Sequence, residues 1–247
     1  MFLPSLVPSG IPLPLEEFEV KEFVQKKGFE MNISILLADD HKIVRDGLRT
    51  LIDSEPGMEV VAEAEDGRTA VRLARQLSPN VIIMDISMPE MNGIDATRAI
   101  LSENSTVKVI ALSMYSDRRF VSGMLDAGAS GYLLKDCAFE ELVRAIRSVI
   151  TDQTYLSPKI AGIVVNRYIG KSPHSGASVF TTLTPREREV FQNLAEGLAT
   201  REVAAHLHVS TKTIETHRRN IMEKLHIHSM SELVKCAIRE GLITIEM

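Results

Sequence analysis

The sequence predicts an α/β domain, a doubly wound sheet of five parallel strands, followed by a small all-α domain. Three observations point there. From residue 32, short apolar runs alternate with amphipathic stretches of helical period, five times in about 120 residues. Runs such as "VIIM" (81–84) are apolar without interruption, the habit of strands covered on both faces. After residue 151 the alternation stops and helical patterns alone follow.

"ISILLA" (33–38) is the first strand, and "HKIVRDGLRTLID" (41–53) puts Val44, Leu48, Leu51 and Ile52 on one helical face. "MEVVAEA" (58–64) and "GRTAVRLARQL" (67–77) make the second pair. "VIIM" is the third strand, with a loop from Pro89 to Gly93 and a helix through Ile100. "VKVIALS" (107–113) and "RRFVSGMLDAG" (118–128) follow, then "GYLLK" (131–135). "FEELVRAIRSVI" (139–150) closes the series, with Leu142, Ile146, Val149 and Ile150 in one stripe. "LSPKIAGIVVNRYIG" (156–170) reads as a connecting helix with Pro158 in its first turn, and "GKSPHSGAS" (170–178) as a flexible tether. "TPREREVFQNLAEG" (184–197) offers Thr184 as N-cap, Pro185 at the first helical position and Gly197 as a stop. "TREVAAHLHVS" (200–210), "STKTIETHRRNIMEKL" (210–225) and "SMSELVKCAIREG" (229–241) complete a set of short helices that includes a helix-turn-helix. The expected division is a tail over 1–31, an α/β domain over 32–150, a linker over 151–181 and a helical domain over 182–247. Met31, opening "MNISILLADD", is an alternative start, which would leave residues 1–30 foreign to the native protein.

Composition narrows the class. A chain of 247 residues, 45% hydrophobic and 25% charged, is that of an ordinary soluble protein. No stretch approaches the roughly 20 apolar residues of a membrane helix. The apolar opening lacks a basic start and is broken by Pro4, Pro8, Pro12 and Pro14, a poor signal peptide. Cys137 and Cys236 fall in different expected domains, which argues against a disulfide and for a reducing cytoplasm. Residues 32–150 carry 13 Lys+Arg against 18 Asp+Glu, whereas residues 180–247 carry 9 of each. The acidic excess belongs to the first half, and a neutral second half can still present a local basic face.

Five polar residues fall at carboxyl ends of the expected strands: Asp39 and Asp40, Asp85, Ser113 and Lys135. In an open parallel sheet those ends share one rim, where ligands collect. A lone aspartate there is ordinarily a helix or turn cap; five such residues together are a pocket. Three converging carboxylates resist ionisation unless a hard cation such as Mg²⁺ joins them. The cation would neutralise an incoming phosphate while Asp85 attacks it, with Lys135 pairing and Ser113 hydrogen-bonding to the phosphoryl group.

"LLADDHKIVRDGL", "VIIMDISMPEMNG", "IALSMY" and "GASGYLLKD" resemble the signature segments of the receiver domain of bacterial two-component response regulators, over about residues 32–150. The resemblance implies a flavodoxin-like fold and phosphorylation of Asp85 by a sensor histidine kinase. It also implies that Asp40 and Asp85 hold Mg²⁺, with Asp39 acting through water and the backbone carbonyl of Ser87 as a further ligand. Ser113 and Tyr132 would be the switch pair; a core aromatic is the competing account of Tyr132. Aspartate-nucleophile phosphatases, a rival on a similar sheet, need a second aspartate two residues after the nucleophile, where this chain has Ser87.

In "VSTKTIETHRRNIMEKL", Ile214, Ile221 and Leu225 form a core stripe, while Lys212, Thr216, Arg219 and Glu223 share another face. Such a helix suits the major groove, with Arg218, Arg219 and Lys224 meeting phosphates. "LTPREREVFQNLAEGLATREVAAHLHVSTKTIETHRRNIMEKL" is similar to the LuxR-type DNA-binding domain, and the two halves together resemble a NarL/FixJ-type response regulator. That implies Glu215, Thr216 and Arg219 at base edges, and Thr211, Lys212, Thr213, Arg218 and Lys224 near the DNA backbone. It further implies a homodimer when phosphorylated, through Leu233, Val234, Ala237 and Ile238 of the last helix, unless that stripe serves only its own core. The partners are then a sensor kinase, double-stranded promoter DNA and RNA polymerase, with no membrane. The alternative function is a constitutive DNA-binding regulator whose first domain is a structural dimerisation module. His206, His208, His217, His226 and His228 show no metal-ligand spacing.

Overall fold

The structure is a computed structural model that describes residues 32–169, 179–240 and 242–243. The expected tail over 1–31, the tether over 170–178 and Gly241 at the end of the last expected helix lie outside the described residues. The strands are β1 (Ile33–Ala38), β2 (Met58–Ala64), β3 (Val81–Met84), β4 (Lys108–Ser113), β5 (Gly131–Leu134) and β6 (Tyr155–Leu156). Between and after them run α1 (Lys42–Asp53), α2 (Gly67–Leu77), α3 (Gly93–Glu103), α4 (Arg118–Asp126), α5 (Phe139–Ile150) and α6 (Pro158–Ile169). The helical half holds α7 (Val179–Thr182), α8 (Pro185–Ala195), α9 (Thr200–His206), α10 (Thr211–Leu225) and α11 (Met230–Glu240).

The sheet has the order β2-β1-β3-β4-β5-β6, with every neighbouring pair parallel. Val81 and Ile83 face the core shared with α1 and α5, including Ile52, Leu142 and Ile146. Ile82 and Met84 face the opposite core, with Ala70 of α2, Ile94 of α3 and Met124 of α4. Helices on both faces are why β3 is apolar at every position.

Three expectations change. The sheet has six strands rather than five: β6 joins the edge through Gly131↔Tyr155 and Tyr132↔Leu156. Two residues are too few to show either a continuous or an alternating pattern. Leu51 is 43% exposed, so the inward stripe of α1 is Val44, Leu48 and Ile52, with Arg45 buried beside it. Arg45 turns inward because its guanidinium donates to the Asp39 main-chain carbonyl and pairs with Glu63 on β2. The expected connecting helix, α6, packs on the first domain: Ile160 is fully buried in the core of α2, α3 and α4.

In the helical half, Val190, Phe191, Val203, Ile214 and Ile221 build a separate core. Thr184 and Glu187 form a capping box at the start of α8, and Gly197 takes φ +94° after its end, where a side chain would be strained. Among the described residues no helix is long and apolar enough to cross a membrane. Cys137 and Cys236 are both free.

Candidate functional site

Strand order reverses between β1 and β3, so their carboxyl ends open a crevice. The ladders run one residue past the strands: Asp85 N–H donates to Ala38 O (2.7 Å), and Asp39 N–H to Ala64 O (3.1 Å). Both aspartates are thereby fixed at the rim, each 4% exposed. Lys135 follows β5, where its N–H donates to Ser113 O (2.9 Å), and its Nζ lies 2.7 Å from Asp39 Oδ2 and 3.0 Å from Asp85 Oδ2. Ser113 is fully buried at the end of β4. Asp40 sits farther out; its Oδ1 is buried without an aligned hydrogen-bond donor, although His41 Nδ1 is 2.8 Å away. All five residues expected at the rim are therefore brought together.

Ligand atoms of Asp39, Asp40, His41 and Asp85 lie within 4.8 Å of one another. His41 adds an imidazole that strand-end reasoning did not include. The Lys135 ammonium pairs with only two of the three carboxylates, and the buried Asp40 Oδ1 has only the His41 ring beside it; this oxygen-rich donor set fits a divalent cation such as Mg²⁺. Burial, reinforced by Asp39, pushes the Asp85 carboxyl from 3.8 up to about 6, against the pull of Lys135 and the Ile86 N–H. Burial lowers the Lys135 ammonium, but Asp85 and Asp39 more than offset this and its value rises. Ser87, expected to offer its carbonyl, lines a cavity together with Asp40.

The loop after Asp85 is fixed by close packing. A Cβ on Gly93 would lie 1.9 Å from the Asp85 carbonyl oxygen, so no other residue fits. Asn92 caps α3, its side chain accepting from Asp95 N–H at 3.0 Å. Tyr132 is wholly buried, as a core aromatic would be, yet its hydroxyl donates to Tyr115 O (2.7 Å) in the loop after Ser113. Burial, first of all, raises the phenol's pKa. Tyr132 thus touches the segment that a movement of Ser113 would pull.

In α10, Ser210 caps the first turn and Ile214 and Ile221 point into the core, which turns Thr211, Lys212, Glu215, Thr216 and Arg219 to solvent. Thr213 and Arg218 are half-buried. Lys224 departs from expectation: its ammonium lies 2.7 Å from Glu187 at the start of α8, so a phosphate contact there requires giving up that pair. In α11, Leu233 and Ala237 are fully buried in the domain's own core, which removes two of the four residues expected at a dimer face. Val234 and Ile238 stay half-buried.

The sequence also gave no notice of a seam between the two halves. Arg188 of α8 binds both carboxylate oxygens of Asp95 in α3 (2.9 and 2.8 Å from Nε), and Gln192 Nε2 donates to Met88 O (2.7 Å). His206 Nε2 lies 2.9 Å from Glu90, Arg68 of α2 reaches Glu189 (3.1 Å), and Arg119 of α4 reaches Glu240 of α11 (3.1 Å). Nothing local marks these residues; the seam shows only in the structure, through Arg188 and Gln192, polar yet buried on one short helix.

Comparison with known proteins agrees with this architecture. The model of the response regulator receiver domain matches residues 35–147, and that of the bacterial regulatory proteins of the luxR family matches residues 181–237. The chain is 39% identical to the transcriptional regulatory protein LiaR of Bacillus subtilis over 213 residues, covering 85% of this chain and 99% of LiaR. It is 37% identical to the oxygen regulatory protein NreC of Staphylococcus carnosus over 215 residues, covering 85% and 99%. Among solved structures, RcsB from Salmonella enterica serovar Typhimurium, bound to promoter rprA with the phosphomimetic BeF3−, matches at 26% identity and TM-score 0.55, covering 83% and 98%. With a receiver fold ending in an aspartate pocket and a LuxR-type helix-turn-helix behind it, the chain belongs to the NarL/FixJ-type two-component response regulators, DNA-binding regulators of transcription.

Proposed function

We propose that Asp85 is the phosphoacceptor through which a sensor histidine kinase controls DNA binding by the helical half. The observation that supports this most is the convergence of Asp39, Asp40, Asp85 and Lys135 beside the buried Ser113. Asp40, Asp85 and the Ser87 carbonyl would hold Mg²⁺ directly and Asp39 through water; bound there, the ion neutralises charge on the transferring phosphoryl group. An Asp85 oxygen attacks phosphorus, an O–P bond forms as the donor's N–P bond breaks, and the leaving imidazole takes up a proton. Lys135 then exchanges a carboxylate partner for a phosphoryl oxygen, and Ser113 turns its hydroxyl to the same group. Self-catalysed uptake and loss of this phosphoryl group is the only chemistry assigned.

Movement of Ser113 reaches Tyr115 and Tyr132, and through α4 the Arg119–Glu240 contact on α11. Release of α11 would free it for a homodimer centred on Val234 and Ile238. Two α10 helices then read paired half-sites, with Glu215, Thr216 and Arg219 at base edges and Thr211, Lys212, Thr213, Arg218 and Lys224 at phosphates. RNA polymerase contact and a cytoplasmic location belong to this reading, as does the division into a receiver over 32–150, a linker over 151–181 and a DNA-binding domain over 182–247. Incubation with Mg²⁺ and a small acyl phosphate should add one phosphoryl mass to the wild type and none to Asp85→Asn. Equal mass on both proteins rules the assignment out.

Exposure of Lys212, Glu215, Thr216 and Arg219 while the halves are in contact favours one second reading, constitutive DNA binding with the receiver as a dimerisation module. DNA affinity that is the same before and after phosphorylation would establish it.

A further inference from the structure

The seam between the halves lies on the phosphoacceptor's own loop. Met88, Glu90 and Asp95, all within ten residues of Asp85, are bound by Gln192, His206 and Arg188 of the helical half. Gln192 and Arg188 are buried to 2% exposure or less, so their two contacts are sealed from water, while the His206–Glu90 pair is half-exposed. Glu90 holds φ +63°, a left-handed conformation uncommon outside glycine, with its carboxylate against His206. Between the halves lies a cavity of about 540 Å³, with Asp40, Ser87 and Pro89 on one wall and Ala195, Glu196 and Leu242 on the other. Asp40 and Ser87 are two of the residues assigned to the cation.

We infer that the helical half roofs the phosphoacceptor pocket and so selects the phosphodonor: with the halves closed, a small acyl phosphate reaches Asp85, and a phosphohistidine on a folded protein does not. The inference rests on Asp85 as phosphoacceptor. A cavity of this size suits a small molecule. A docking protein needs a contact of about 1,200 Å² in total, and the helical half already covers the loop where that contact would form. Opening exchanges the Arg188–Asp95 pair for hydrated charges, so it needs no broken core. By reciprocity, whatever stabilises the open form, such as dimeric engagement of DNA, speeds transfer from a protein donor.

The test measures access to the pocket without a kinase. In full-length protein carrying Cys137→Ser, Cys236→Ala and Asp85→Cys, the single thiol is reacted with N-ethylmaleimide and, separately, with a maleimide joined by a short linker to a globular protein. The ratio of protein-borne to small-reagent rates should rise at least tenfold when Arg188→Ala is added. Asp95→Ala, which breaks the same pair from the receiver side, should raise it alike and guards against a folding defect in either variant. A ratio left unchanged by both, with circular dichroism showing each folded, overturns the roof. The acyl phosphate experiment on the wild type judges the Asp85 assignment separately: no added phosphoryl mass there, with a ratio that still rises, removes the phosphoacceptor and leaves the roof.

Discussion

Arg188 and Asp95 form a bidentate ion pair across the two halves, with each residue less than 8% exposed. Asp95 also accepts from Arg98 (2.9 Å) and Asn92 (3.0 Å), so its charge stays partnered if Arg188 is removed. Breaking a buried pair from one side costs about 3–5 kcal/mol where the other charge is stranded. Here Asp95 keeps two partners and opening hydrates both groups, so the loss falls on closure rather than on folding. Arg188→Ala should therefore raise the unphosphorylated protein's affinity for its DNA by about tenfold, a change of about 1.4 kcal/mol. Fluorescence anisotropy on a selected genomic fragment measures it; an affinity equal to the wild type's would mean that closure does not restrain DNA binding.

Gly93 supplies a stability prediction. A methyl group there would stand 1.9 Å from the Asp85 carbonyl oxygen, and the nearest atoms it meets are all backbone of Asp85 and Ile86, with no flexible side-chain end to yield. Gly93→Ala should lose about 3 kcal/mol in urea unfolding, the upper range for overpacking. A loss below about 0.5 kcal/mol, the scale of a neutral surface change, would mean that the loop is looser than this contact requires.

What the sequence made legible follows from range. The strand ends are local: an apolar run stops, a polar residue follows, and parallel topology carries Asp39, Asp85, Ser113 and Lys135 to one rim without knowledge of any side-chain contact. The same logic found Thr184 as a cap and Ile214 and Ile221 as core. It failed where the partner is distant. Arg188 looks like one more charge in a polar helix until Asp95, 93 residues earlier, is beside it. Lys224 reads as a free cation until Glu187, 37 residues earlier, is beside it. β6 is too short to carry a pattern, and Arg45 breaks the α1 stripe only because an Asp39 carbonyl waits beneath it.

The Asp85 carboxyl gives a pH prediction with a definite sign. Its value in the folded protein is raised, from 3.8 to about 6, chiefly by burial. Between those values the unfolded chain ionises first, so without Mg²⁺ stability falls as pH rises from about 4 to about 6 and is level in this respect above. Cation binding reverses the preference, because a metal ligand must be deprotonated. Mg²⁺ affinity, followed by calorimetry, should fall up to tenfold per pH unit below about 6 and flatten above it. Asp85→Asn should show no such break. A break that persists in that variant would assign the titration to another group.

The reading helix separates two kinds of contact. Arg219 is exposed in the second half of α10, where a guanidinium can meet a base edge bidentately. Lys212 is exposed in its first turn, and the proposed contact for it is a phosphate. Arg219→Ala should cost about 1–3 kcal/mol on the preferred sequence and little on unrelated DNA, narrowing the gap between them. Lys212→Ala should weaken both by a similar factor and reduce the slope of log affinity against log salt by about 0.9. Titrations of both variants on specific and random duplexes at three salt concentrations distinguish the roles. If Arg219→Ala weakened both duplexes equally, the residue would be a backbone anchor, and sequence would be read from Glu215 and Thr216 alone.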